Sequence, residues 1–267
     1  HPMKKNVIAL SLVLLASGRA LAQEAPAWSP GYGTRFLQTQ SPLVNEKGIF
    51  EVVFTHRFNQ PVNEAGGNDL FGLDGGANIG IGVSWVPVAR LSAEVYRASS
   101  GGDYELAAKW AVLEPTRERP LGVAARAGAS WMTKYAIEDR LGAFGQLLVA
   151  YTFADRVTVA AAPTFATNTP LYRNAFNVPV AVQVRLGRGL YAAGEYAFAN
   201  RDLDGSVGQW SFAIEKALWR HRFLVWVGNS PATTVDQMVA GDYAGGVTES
   251  NVRLGFNISR QFQIGGD

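Results

Sequence analysis

The 267-residue chain has no cysteine and 3 histidines. The missing cysteine excludes disulfide staples, thiolate metal sites, haem attachment through paired cysteines and cysteine nucleophiles. Beyond the N-terminal segment, no apolar run reaches the 18 or so residues that a spanning helix needs. An excess of one charge is missing too. His1-Pro2 ahead of Met3 reads as an added remnant, Lys4 and Lys5 as a basic n-region, and Val7 to Ala16 as an apolar core. Ala20-Leu21-Ala22 then supplies a small-x-small cleavage site before Gln23, so residues 1–22 are expected to be a secretory signal peptide. That segment takes Lys4, Lys5 and Arg19 and no acid from 24 basic and 22 acidic residues, leaving 21 against 22. A chain so nearly neutral has no global charge to recruit nucleic acid.

What is present is a long series of strands. With 29 glycines and 7 tryptophans, the composition suits a curved, aromatic-belted sheet. Residues 23–47 carry Pro26, Pro30 and Pro42 and no sustained period. They read as an N-terminal arm with a short strand around Arg35 to Thr39, lying in the periplasm or folded back into a lumen. From 48 to 262, period-two alternation recurs in segments of about ten residues. Phe50, Val52, Phe54, His56 and Phe58 alternate with Glu51, Val53, Thr55 and Arg57; Ile79, Ile81, Val83 and Trp85 alternate with Asn78, Gly80, Gly82 and Ser84. The later segments continue in kind and bring the total to about twelve, followed by a tail over 263–267.

The connections alternate long and short. Long ones fall at 59–76, 98–103, 132–142, 166–175, 199–208 and 229–250; short ones fall at Pro87, 113–120, 154–156, 187–189 and 217–221. Soluble sandwiches and lipocalin-like barrels alternate as well, but have no reason to keep long loops on one end. Outer-membrane barrels have short periplasmic turns, long outer loops and an even strand number. Aromatics at strand ends (Phe58, Trp85, Trp110, Trp131, Phe153, Phe165, Phe176, Phe198, Trp210) match interfacial girdles. Mid-strand charges on the opposite face would be rare in a soluble core and are accepted by a wet lumen. The fold expected is therefore all-β: a single up-and-down antiparallel transmembrane barrel of about twelve strands in a bacterial outer membrane.

Several stretches resemble a family of bacterial outer-membrane β-barrels that carries only a domain-of-unknown-function label. They are His56-Arg57-Phe58, Phe71-Gly72-Leu73-Asp74-Gly75, Ala77-Asn78, Gly82, Arg97-Ala98-Ser99-Ser100 with Asp103, Lys109-Trp110, Glu195-Tyr196, Asn229-Ser230 and Gly255-Phe256-Asn257-Ile258-Ser259-Arg260. The similarity runs from about Arg35 to Phe262 and implies a membrane barrel, with no activity, ligand or catalytic residue to carry over. Ile79 and Gly80 stand where the family pattern leads one to expect more basic residues.

For chemistry, a membrane-embedded hydrolase would need a nucleophile beside a base. His56 reads as a rim residue on the lipid-facing register and His221 as a solvated turn residue, with no serine placed near either. Glu64, Asn68, Asp69 and Asp74 offer oxygen ligands in the first long loop, but their spacing does not match a calcium loop. Phe71, Leu73 and Asp74 read instead as loop anchors. No cofactor, metal or catalytic residue is expected. The lumen candidates are Glu51, Arg57, Arg90, Glu94, Glu105, Lys109, Arg126, Arg185, Glu195, Glu215 and Arg253. Segregated on opposite walls, they would line a passive porin-like channel or a binder of small polar solutes. Paired across the lumen, they would lock a closed barrel serving as scaffold or anchor. Glycines and alanines between them (Gly80, Gly82, Ala124, Gly128, Ala160, Ala162) leave room for water. The lipid bilayer is the one certain partner; protein partners are not legible.

Overall fold

The computed structural model describes residues 28–134, 140–170, 174–200, 206–241 and 247–263. The expected signal peptide lies outside them, as does the tail beyond 263. Twelve antiparallel strands follow one another in sequence order: β1 Ile49–Phe58, β2 Ala77–Val88, β3 Leu91–Ala98, β4 Asp103–Leu113, β5 Leu121–Met132 and β6 Arg140–Phe153. Strand β7 is Val157–Ala161 resumed at Thr164–Ala166, and β8 is Ala175–Asn177 resumed at Val180–Gly187. Then come β9 Leu190–Ala197, β10 Gln209–Leu218, β11 His221–Gly228 and β12 Arg253–Gln263. Each strand pairs with its sequence neighbours, and β1 closes the barrel on β12, for example His56 opposite Phe256. Closure leaves no sheet edge, which is what a strand needs where no water can satisfy its backbone.

Prolines explain the two interruptions. Pro163 and Pro179 lack an N–H, so the ladder loses bonds there, yet the register runs on across the gap. Their carbonyls still accept, from Leu147 N and Ala162 N respectively at 2.9 Å. Pro87, by contrast, lies inside an unbroken strand and is not the turn that the sequence suggests. Strand β2 continues through it to Val88 with a register shift after Trp85, and the turn is Ala89-Arg90. Arg90 takes a positive φ of 71° in that turn.

The pleat sorts the side chains. Leu106 (65% exposed), Phe212 (60%) and Val225 (70%) stand on the outside, while Glu105, Ser211 and Leu224 beside them are buried. Exposed Trp85, Trp110 and Phe153 ring the end with short turns, and Trp131, Phe165, Phe176 and Phe198 ring the end with long loops. An apolar belt between aromatic rings is the exterior of a membrane barrel. His56 belongs to this outer face, stacked on Phe256 at 5.0 Å. His221 is not a free turn residue: it opens β11 and stacks on Phe223.

Candidate functional site in the barrel lumen

The lumen is filled from both mouths. From the short-turn end, the arm ahead of β1 enters and doubles back. Phe36 N donates to Thr39 O at 2.9 Å and Ser41 N to Thr34 O at 3.0 Å, and Arg35 bridges to Gln40, making a small hairpin. Its apolar side (Tyr32, Phe36 and Leu37, all nearly inaccessible) packs on Ala150, Ala181, Ala193, Ala213, Leu224 and Trp226 of the wall. Alanine at those inward positions is what makes room for a second layer of chain. The arm passes Arg222 at Gly33, where a Cβ would come within 2.8 Å of Nε, so a larger residue would have to push the guanidinium aside.

The polar side of the arm satisfies the charged wall. The tip amides of Leu37, Gln38 and Thr39 all donate to the Glu195 carboxylate, at 2.8, 2.9 and 3.2 Å. Thr34 Oγ1 and Asn45 Nδ2 donate to Glu51 at 2.9 and 2.8 Å. Lys109 Nζ donates to Thr34 O and Gln40 Oε1, each at 3.2 Å. Asn257 Nδ2 donates to Leu37 O at 2.9 Å, and Arg222 reaches Gly31 O. Charges buried in this way need such partners, since an unpaired one costs several kcal/mol.

From the other mouth comes the last long loop, which begins at Asn229 and carries a short helix, α1 (Val235–Ala240), all six residues buried. Gln209 Nε2 donates to Met238 O and Gly241 O at 3.1 Å, and Asn78 Nδ2 to Pro231 O at 2.9 Å. On the facing wall, Val235 N donates to Glu105, and Thr234 Oγ1 lies 2.6 Å from Asp103 Oδ2. Between the two plugs a charge network crosses β3 to β6. Arg126 bonds Glu94 at 2.8 Å and Gln146 at 2.8 Å, and Glu105 lies 3.3 Å away. Lys109 completes it, 3.4 Å from Glu94.

Of the eleven lumen candidates, Glu51, Arg57, Glu94, Glu105, Lys109, Arg126, Glu195, Glu215 and Arg253 are buried. Arg57 sits over the Trp226 ring at 4.5 Å, Glu215 pairs with Arg222, and Arg253 Nε donates to Asn59 O. Arg185 stands at the short-turn rim and donates to Ser29 O. Arg90 does not face the lumen: the positive-φ turn points it outward to an exposed pair with Glu114 at 2.7 Å. Nor do Phe71, Leu73 and Asp74 anchor the first long loop; all three are exposed. The loop is held by polar contacts instead, Asn251 Nδ2 to Glu64 at 3.0 Å, Val62 N to Val252 O at 2.6 Å and Gln60 Nε2 to Asp69 at 3.1 Å. The water space expected beside Gly80 and Gly128 is taken up by aromatic rings. A Cβ at Gly80 would collide with the Tyr96 hydroxyl, and one at Gly128 with Phe144. Among the described residues, Arg35 borders two small cavities of about 30 Å³ each.

Sequence reasoning missed Arg222, Asp103, Asn78 and Gln209, each at or near a strand end. Their inward parity was available to find them.

Among solved structures, the chain is similar to the KdgM porin, at 11% identity over 79% of this chain and 99% of that one, with a TM-score of 0.51. The same porin in complex with disordered oligogalacturonate gives 12% identity, the same coverage and 0.50. An outer-membrane channel from Pseudomonas putida F1 gives 11% identity, 82% and 97% coverage and 0.48. At such identities the likeness is one of fold. No curated protein matches the chain by sequence. The family described as a membrane-bound β-barrel domain (DUF5777) matches residues 32–262, which take in both the luminal hairpin and the strands, and the chain belongs to that family.

Proposed function

We propose that this protein is a porin-like outer-membrane barrel, a passive and non-catalytic conduit for small polar solutes, closed at rest by its own N-terminal arm at one mouth and its last long loop at the other. The observation that carries the reading is the construction of the plug. The arm contributes no strand to the sheet, enters from one mouth, and rests on an alanine-lined wall with its polar groups turned to luminal charges. Its withdrawal leaves every strand pairing intact and exposes Glu51, Lys109, Glu195 and Arg222 to water, which solvates them as the hairpin does. Short turns then face the periplasm and long loops the outside, which puts the arm on the periplasmic side.

A second reading, a permanently closed scaffold, draws on the completeness of the Glu94–Arg126–Glu105 network. Planar-bilayer conductance separates the two. The full chain should show rare or small openings, and a chain that lacks residues 28–47 and carries a short Gly-Ser linker in place of 231–241, so that neither mouth is plugged, should show steady conductance. A folded barrel freed of both segments that stays silent overturns the conduit in favour of the scaffold.

A further inference from the structure

The contact between α1 and the barrel wall poses a problem of proton count. Thr234 Oγ1 lies 2.6 Å from Asp103 Oδ2 and 2.9 Å from Asp236 Oδ1. A hydroxyl has one proton to donate, and ionised carboxylates only accept. Both contacts are hydrogen bonds only if one of the two carboxyls carries a proton and donates it to Thr234 Oγ1. Burial makes the alternative costly: Asp103 is 0% and Asp236 2% exposed, and two adjacent carboxylates in so dry a place cannot both ionise. The remaining partners are neutral donors, Gln237 Nε2 to Asp103 Oδ2 at 3.1 Å and Gln237 N to Asp236 Oδ1 at 2.8 Å. Among the described residues, Asp103 Oδ1 meets no donor.

The charged groups around the pair do not remove the problem. On β4, Glu105 adds a third carboxylate, taken up by Val235 N and by Arg126 of β5 at 3.3 Å. On β6, Arg140 heads the strand at the level of Met132, which pairs with Asp103, and has interactions of its own. Lys134 lies at the rim beside Gly102.

We propose that a proton shared by Asp103 and Asp236 latches the α1 segment into the outer mouth, so that the segment is a pH-sensitive lid. The latched state binds one proton more than a released state in which water separates the carboxylates. By linkage, low pH favours the latch and rising pH releases it. Lid and arm close opposite ends, so the lid can be tested without any appeal to conduction.

The absence of native cysteine makes the test clean. Val239 belongs to the lid and is wholly buried against the wall, and Gly67 sits in the open first loop with nothing near the Cβ position. In the full chain in lipid vesicles, the rate at which a polar maleimide labels Val239→Cys is divided by that for Gly67→Cys, which cancels thiol ionisation. The ratio should rise at least tenfold from pH 5 to pH 8. In Asp236→Asn, whose amide is a permanent donor to Thr234 Oγ1, the ratio should stay low throughout, and Asp103→Asn should behave likewise. A ratio independent of pH in the parent chain, or an unchanged rise in both variants, overturns the latch. A switching lid on a barrel that never conducts would refute only the conduit.

Discussion

At the scale of single residues, which face a side chain occupies decides what a charge costs. Val182 and Gln183 are neighbours in the middle of β8 at one depth, the first 46% exposed on the outside and the second buried inside. Val182→Arg puts a guanidinium into hydrocarbon and should lower stability by about 2–4 kcal/mol if it lies at the midplane. Gln183→Arg, opening on a wall that already carries charge, should lose markedly less. Denaturant titration of folded protein in lipid vesicles measures both, and equal losses would mean that the faces are inverted. Parity along a strand made this much legible before any coordinates. Arg90 shows where parity fails, because a residue at the end of an alternating run can belong to the turn. There a positive φ, invisible in the alternation, redirects the side chain.

At the scale of elements, the hairpin of the arm is held by one clasp above all, the three tip amides on Glu195. Hydrogen bonds to a charged group contribute about 1.5–3 kcal/mol each when formed, more than a neutral pair. Glu195→Gln turns one acceptor into a donor facing amides. The amides of Leu37, Gln38 and Thr39 should then lose protection in hydrogen exchange while those of β9 keep theirs. Protection unchanged at the tip would show that the apolar packing of Tyr32 and Phe36 holds the hairpin alone. The strands were readable because their period and connections repeat. The hairpin was not, because its six residues show no alternation of their own. They are shaped by an apolar wall, Ala150 to Trp226, and by Glu195, all more than 100 residues further along the sequence, so the arm could be delimited but not located. Phe71 and Leu73 mislead for the opposite reason. Apolar residues in a loop suggest an anchor, but beside a membrane rim exposure carries little penalty, and polar contacts fix the loop.

At the scale of the whole molecule, the account describes a barrel whose structural part, the closed sheet, is separate from the parts that obstruct it. Composition, loop parity and aromatic girdles determined the barrel. The charged inner face allowed either an open or a filled lumen, and the structure shows it filled, by chain segments that contribute nothing to closure of the sheet. The most direct measurement of that separation is the blocking of current by a synthetic peptide of residues 28–47, added in a planar bilayer to barrels that lack both the arm and α1. The account predicts reversible block at a much lower peptide concentration from the side of the short turns than from the side of the long loops. Equal potency from the two sides, or no block of a conducting barrel from either, would contradict it.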